Sequence, residues 1–123
     1  MYFYKRPAFG DCGSGYWLGA ELLRAVARGR DGTDPPTILD EMLQERIGDA
    51  HILKWAYAEK ETGNWQRTAD LAPLVFEAYK KKDKAAVRII DQAAEGLVEQ
   101  VKRVAEALQL NDPFTVSFSN MLV

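Results

Sequence analysis

Apolar residues recur at helical spacing in five stretches of this chain and at strand spacing in one. From Tyr16 to Arg28 the positions Trp17, Leu18, Leu22, Leu23, Val26 and Ala27 follow the period of an amphipathic helix. Ser14 stands ahead of it as N-cap, and the helix is expected to stop near Gly29. Residues 30–36, RDGTDPP, read as a loop because Gly32 and two prolines oppose regular structure. Thr37 caps a second helix, with Asp40 three residues on in a variant of the capping box. Its apolar stripe is Ile38, Met42, Leu43 and Ile47, and Gly48 ends it. Asp49 restarts a third, short helix carrying Ile52, Leu53, Trp55 and Ala56. Residues 59–66 are polar and read as a loop anchored by Trp65.

Thr68 is the expected cap of the next helix, in which Leu71, Leu74, Val75, Ala78 and Tyr79 face inward. Lys80, Lys81 and Lys82 close it at the negative end of its dipole. Asp83 caps a long final helix whose stripe is Val87, Ile90, Ala94, Leu97, Val101, Val104 and Leu108. Gly96 lies inside this helix, where a glycine costs about 1 kcal/mol relative to alanine. Asn111-Asp-Pro113 breaks the helix, and residues 114–119, FTVSFS, alternate as a strand does. The pattern gives a mainly α fold of five or so helices with one C-terminal strand. One strand cannot satisfy its own backbone groups. The expectation is therefore a single domain over residues 1–123 that is part of a larger, sheet-bearing fold.

Composition narrows the classes. With 47% apolar and 28% charged residues the chain is globular rather than disordered. Its net charge of −2 gives no pull toward nucleic acid. The single cysteine, Cys12, excludes an internal disulfide and a cysteine-built zinc site, and fits a reducing compartment. Residues 1–7 lack the apolar region of a signal peptide, and no run reaches the ~20 apolar residues that span a bilayer. A cytoplasmic protein without a membrane partner is expected.

The densest candidate for chemistry is Gly10-Asp-Cys-Gly-Ser-Gly15, just ahead of the first helix. Glycines let a ligand approach the backbone, and the N–H groups of a helix N-terminus suit an anion or a sugar hydroxyl. Asp11 can accept hydrogen bonds from a polyol or act as a base. Pattern alone leaves this open against a plain glycine turn capped by Ser14. It is neither a P-loop nor a dinucleotide fingerprint. Cys12 has no histidine near it in sequence and reads as a small unreactive side chain. His51, the only histidine, reads as a surface residue, and Lys80–Lys84 as a solvated turn. Asp40/Glu41 and Glu59/Glu61 read as solvated acids rather than metal ligands. Trp17, Trp55 and Trp65 read as core anchors.

Two stretches together carry a resemblance. GDCGSGYWLGAELLRAV, from Gly10, resembles the GDEGSGYWIG segment of the BadF/BadG/BcrA/BcrD ATPase family, whose best-known members are N-acetylglucosamine kinases. LAPLVFEAYKKKDKAAVRIIDQAAEGLVEQV, from Leu71, is similar to that family's LAPLVFEAA helix, Gly-Asp turn and long helix. The resemblance covers residues 10–123. It implies the actin/hexokinase-like fold, in which two ribonuclease-H-like α/β lobes close on ATP and an acceptor. This chain resembles part of the second lobe.

By the same resemblance Asp11 matches the aspartate that contacts the sugar, and Gly10, Gly13 and Ser14 its supporting turn. Cys12 stands where the family has glutamate. Residues 1–9 are atypical, since the family's Gly-Gly-Trp-Gly run is replaced by Met1-Tyr-Phe-Tyr-Lys-Arg6. Ser119 and Asn120 fall where the family's strand enters a Gly-Gly turn beside the adenosine. No catalytic residue or metal ligand is matched, because the Asp-Gly-Gly-Gly-Thr phosphate loop and the catalytic aspartate have no counterpart here. The implied function is that of an ATP- and Mg2+-dependent amino-sugar kinase relative, acting only when an N-terminal lobe completes it. Self-association through the unpaired strand is a further expectation. Two other readings stand beside it. One is a non-catalytic helical interaction module derived from such a kinase. The other is a relative of the ATPase activators of acyl-CoA dehydratases, which hold an iron–sulfur cluster with cysteines.

Overall fold

A computed structural model describes residues 12–48, 51, 54–55 and 66–115. The regular elements are α1 (Gly15–Arg30), α2 (Ile38–Ile47), α3 (Gln66–Ala69), α4 (Ala72–Lys80) and α5 (Lys84–Ala107). The described residues are mostly helical and contain no strand. Of the expected C-terminal strand only Phe114 and Thr115 are described, in irregular backbone, and residues 116–119 lie outside the described set. Of the expected third helix, Lys54 and Trp55 are helical, while Ile52, Leu53 and Ala56 lie outside it, as does Trp65. Among the described residues no helix is long and apolar enough to cross a membrane.

Helix α1 is the hub and contacts each of the other four. It contributes Leu18, Leu22, Ala25 and Val26 to the core. Leu39 and Leu43 come from α2, Leu71 from the residue ahead of α4, Ala72, Val75 and Ala78 from α4, and Ala86, Ile89 and Ala93 from α5. Trp17, Met42, Trp55, Phe76 and Ile90 pack around this centre. The Arg67 guanidinium lies over the Trp55 ring, 4.6 Å from its centroid.

Sequence and structure differ at four places. Helix α1 runs through Gly29 to Arg30 and ends at the Asp31-Gly32 turn, where Gly32 takes φ +83°. The helix therefore stops before Gly32, which follows the C-cap Asp31 and takes the left-handed conformation, rather than at Gly29 three residues earlier. Thr68 does not cap α4. It sits within α3, 3% exposed, and its carbonyl accepts from Leu71 N at 3.1 Å. Helix α4 starts without a side-chain cap, with Pro73 in its first turn, where a missing N–H costs nothing.

The other two differences concern faces. Tyr79 is 42% exposed rather than inward, because the packed positions 72, 75 and 78 leave it on the next flank of the helix. On α5 the buried positions are Ala86, Ile89 and Ala93, one residue ahead of the expected stripe. The small side chains of Ala86 and Ala93 let α5 approach its neighbours, with Ile89 filling the space between them. Val87, Ile90, Leu97 and Val101 are half-buried, whereas Ala94, Val104 and Leu108 are exposed. At 1.5 Å per residue α5 is about 36 Å long, and only its first half enters the core.

Two turns hold the bundle's ends. Arg30 at the end of α1 makes a forked pair with Asp40 of α2, Nη2 to Oδ1 at 2.7 Å and Nε to Oδ2 at 3.0 Å. The hydrogen bond to Asp40 raises the Arg30 pKa above its ordinary value. Between α4 and α5, Lys82 N donates to Tyr79 O at 2.9 Å and Asp83 N to Ala78 O at 3.1 Å, the paired bonds of a Schellman motif. Lys82 is the left-handed residue of this motif, with φ +62°. Lys82→Gly should therefore raise stability by about 1 kcal/mol. A higher urea midpoint at unchanged slope is the expected readout.

Candidate functional site

The described part of the glycine turn is Cys12-Gly13-Ser14, and it leads directly into α1. Gly10 and Asp11 lie outside the described residues, as do Ser119 and Asn120. Ser14 has extended backbone, φ −73° and ψ 166°, and its hydroxyl oxygen accepts from Trp17 N at 3.1 Å. Leu18 N donates to the Ser14 carbonyl at 3.0 Å, the first bond of the helix. The expected cap is thus formed. No acidic side chain stands in the first turn of α1. Its partial positive charge faces the turn.

Gly13 is buried and takes φ +92°, a backbone region that side chains other than glycine rarely enter. A Cβ there would stand 2.8 Å from Leu97 Cγ and 3.3 Å from the Ala93 carbonyl oxygen. Glycine is required at this position twice, by conformation and by space. The turn is packed against α5 rather than projecting as a loose loop. The Gln100 side-chain amide donates to the Cys12 carbonyl at 3.3 Å, and the Cys12 thiol points at the Gln92 carbonyl 3.8 Å away. Opposite Cys12 lies Gly96, where an added Cβ would strike the sulfur and stand 3.1 Å from Cys12 Cβ.

The sequence reading missed this part of α5. Gly96 was a signal, since a glycine inside a good helix implies close approach by a neighbour. Nothing in the sequence names Cys12 as that neighbour. His51 is exposed, as expected. Among the described residues no three or more His, Cys, Asp or Glu side chains gather as a metal site.

Comparison with known proteins places the chain in a family. The model of the BadF/BadG/BcrA/BcrD ATPase family matches residues 5–119. This chain belongs to that family. It is 35% identical over 108 residues to an N-acetyl-D-glucosamine kinase of Dictyostelium discoideum, covering 85% of this chain and 34% of that protein. It is 29% identical over 106 residues to an N-acetylmuramic acid/N-acetylglucosamine kinase of Clostridium acetobutylicum, covering 84% of this chain and 34% of the relative. The chain thus spans about a third of the length of the curated relatives it matches. No solved structure matches it.

Proposed function

We propose that this chain carries the amino-sugar-binding edge of an ATP-dependent kinase of the N-acetylglucosamine type, within the second lobe of an actin/hexokinase-like fold. The observation that carries the reading is the Cys12–Ser14 turn, held in one conformation at the N-terminus of α1. The names of both relatives support the amino-sugar branch of the family over the dehydratase activators.

A sugar is neutral and rich in hydroxyls. Its recognition calls for fixed donors and acceptors rather than for charge. Asp11, adjoining the described turn, would accept from sugar hydroxyls. The Ser14 hydroxyl already accepts from Trp17 and has one proton with which to donate. Gly10 and Gly13 let the sugar come close to the backbone. Ser119 and Asn120 are our candidates for the edge that meets the adenosine.

Magnesium ATP, when bound, supplies the phosphoryl group that is transferred. Among the described residues no group of three or more acidic, cysteine or histidine side chains is gathered to hold the magnesium. Phosphoryl transfer rests on positioning of the phosphates and the nucleophile. That work is assigned to parts of the kinase outside the third of the relatives that this chain spans. Two measurements test the reading. The chain alone, given ATP, magnesium and N-acetylglucosamine, should show no turnover. Its tryptophan fluorescence should change saturably with N-acetylglucosamine, because Trp17 lies one turn from Ser14, and Asp11→Ala should abolish the change. A silent titration, or one untouched by Asp11→Ala, removes the proposed site.

A further inference from the structure

We propose that Gly96, Leu97 and Gln100 of α5 are positioning residues for the sugar-binding turn, and that Gln100 sets how tightly an amino sugar is held. The inference rests on the assignment of that turn to an amino sugar, and it adds a second helix to a site so far confined to the start of α1.

The residues of α5 that meet the turn are Gln92, Gly96 and Gln100, with Ala93 and Leu97 beside them. Steps of four and eight residues put the first three in one row along a helix. Each does a different thing to the turn. Gly96 opens a notch into which Cys12 fits with no room to spare. Leu97 lies under Gly13, close enough that any side chain at 13 would collide with it. Gln100 donates to the Cys12 carbonyl at 3.3 Å.

The last contact has a consequence for the backbone. A trans peptide is planar, with its C=O and N–H directed oppositely, and the peptide bonds of the described residues are trans. Fixing the Cys12 carbonyl toward α5 therefore fixes the Gly13 N–H away from it. The turn would otherwise have the freedom that glycine gives it. Seated on α5, it presents one set of backbone donors. Such pre-organisation lowers the ordering cost of binding. Gly96 supports the same conclusion: α5 carries a residue unfavourable to helix at the one place where the turn sits against it.

Cys12, the only cysteine, reports on this seat directly. Its rate of reaction with 5,5′-dithiobis(2-nitrobenzoate) is followed in the intact chain with increasing N-acetylglucosamine. Wild type should react slowly and be protected saturably. Gln100→Leu keeps bulk and removes the donor. It should react several-fold faster, and the sugar concentration for half-protection should rise about tenfold, the loss of one hydrogen bond. Gln100→Lys, which still donates, should stay near wild type on both measures. Gly96→Ala should also expose the thiol, although alanine favours the helix and circular dichroism should show no loss of helicity. Wild type without saturable protection would remove the sugar assignment and this inference with it. Protection that saturates at the same concentration in wild type and Gln100→Leu would overturn the inference alone. So would a Gly96→Ala thiol no faster than that of wild type.

Discussion

Gly19→Ala is expected to destabilise the fold by roughly 3 kcal/mol, the upper range for a residue forced into a packed interior. The sign is the informative part. In a solvated helix the same change stabilises by about 1 kcal/mol, since glycine is the weaker helix former. Here a Cβ at 19 would stand 2.8 Å from the Thr68 carbonyl carbon and closer still to its oxygen. Thr68 belongs to α3 and is almost fully buried, so neither partner is a flexible side chain that can swing aside. Helix α1 would have to move off α3, loosening the contacts of Leu18 and Leu22 on both sides of the substitution. A fall in melting temperature of about 10 °C follows for a domain of this size. Gly29→Ala is the control. In the last turn of the same helix, an added Cβ at 29 meets ordinary contact distances of 3.6 Å to Pro35 O and 3.8 Å to Pro36 Cα. That variant should be neutral or gain up to about 1 kcal/mol. If the two alanine variants behave alike, the close approach of α1 to Thr68 is wrong.

Asp83→Ala is expected to cost about 2–3 kcal/mol, because one carboxylate serves the N-termini of two helices. Oδ2 accepts from Ala86 N at 3.1 Å as the cap of α5 and from Thr37 Oγ1 at 2.7 Å. Oδ1 accepts from Ile38 N at 3.3 Å, at the start of α2. The Thr37 hydroxyl in turn accepts from Leu39 N at 3.2 Å. Truncation leaves donors of both helices without their acceptor and removes a negative charge from two positive dipole ends. Asp83→Asn keeps one acceptor oxygen and should recover about half of the loss. Thr37→Ala removes only one branch and should cost about 1 kcal/mol. Chemical denaturation of the three variants separates these values. Equal effects for Thr37→Ala and Asp83→Ala would mean that the carboxylate caps only one helix.

These two sites show what the sequence did and did not disclose. Ser14, Thr37 and Asp83 were each legible as helix caps, because capping is a local contract between one side chain and N–H groups two or three residues on. That Thr37 and Asp83 meet was not legible, since 46 positions separate them and only packing joins the two helix starts. Periodicity found Leu18, Leu22 and Val26 of α1 and Leu43 of α2, but passed over Leu39, which is fully buried while Ile38, Met42 and Ile47 are only partly so. On α5 it selected Val87, Ile90 and Ala94, whereas the buried positions are Ala86, Ile89 and Ala93, one residue earlier, with alanines at 86 and 93 permitting close approach. Thr68 looked like a cap by residue type but lies in its own short turn against Gly19. For the candidate site, the family motif drew attention to Gly10, Asp11, Gly13 and Ser14. Its support from Gly96, Leu97 and Gln100 lies more than eighty positions away and left one trace, a glycine in the middle of a helix.

The central claim is that the Cys12–Ser14 turn, seated on α5, forms part of an amino-sugar site together with Asp11. The most direct measurement is a titration of the isotope-labelled chain with N-acetylglucosamine, followed at the backbone amides of Gly13 and Ser14 and at the Trp17 indole. Shifts of all three signals on one saturating curve, lost in Asp11→Ala, are the predicted result. Unmoved turn amides, or a curve that Asp11→Ala leaves intact, would contradict it.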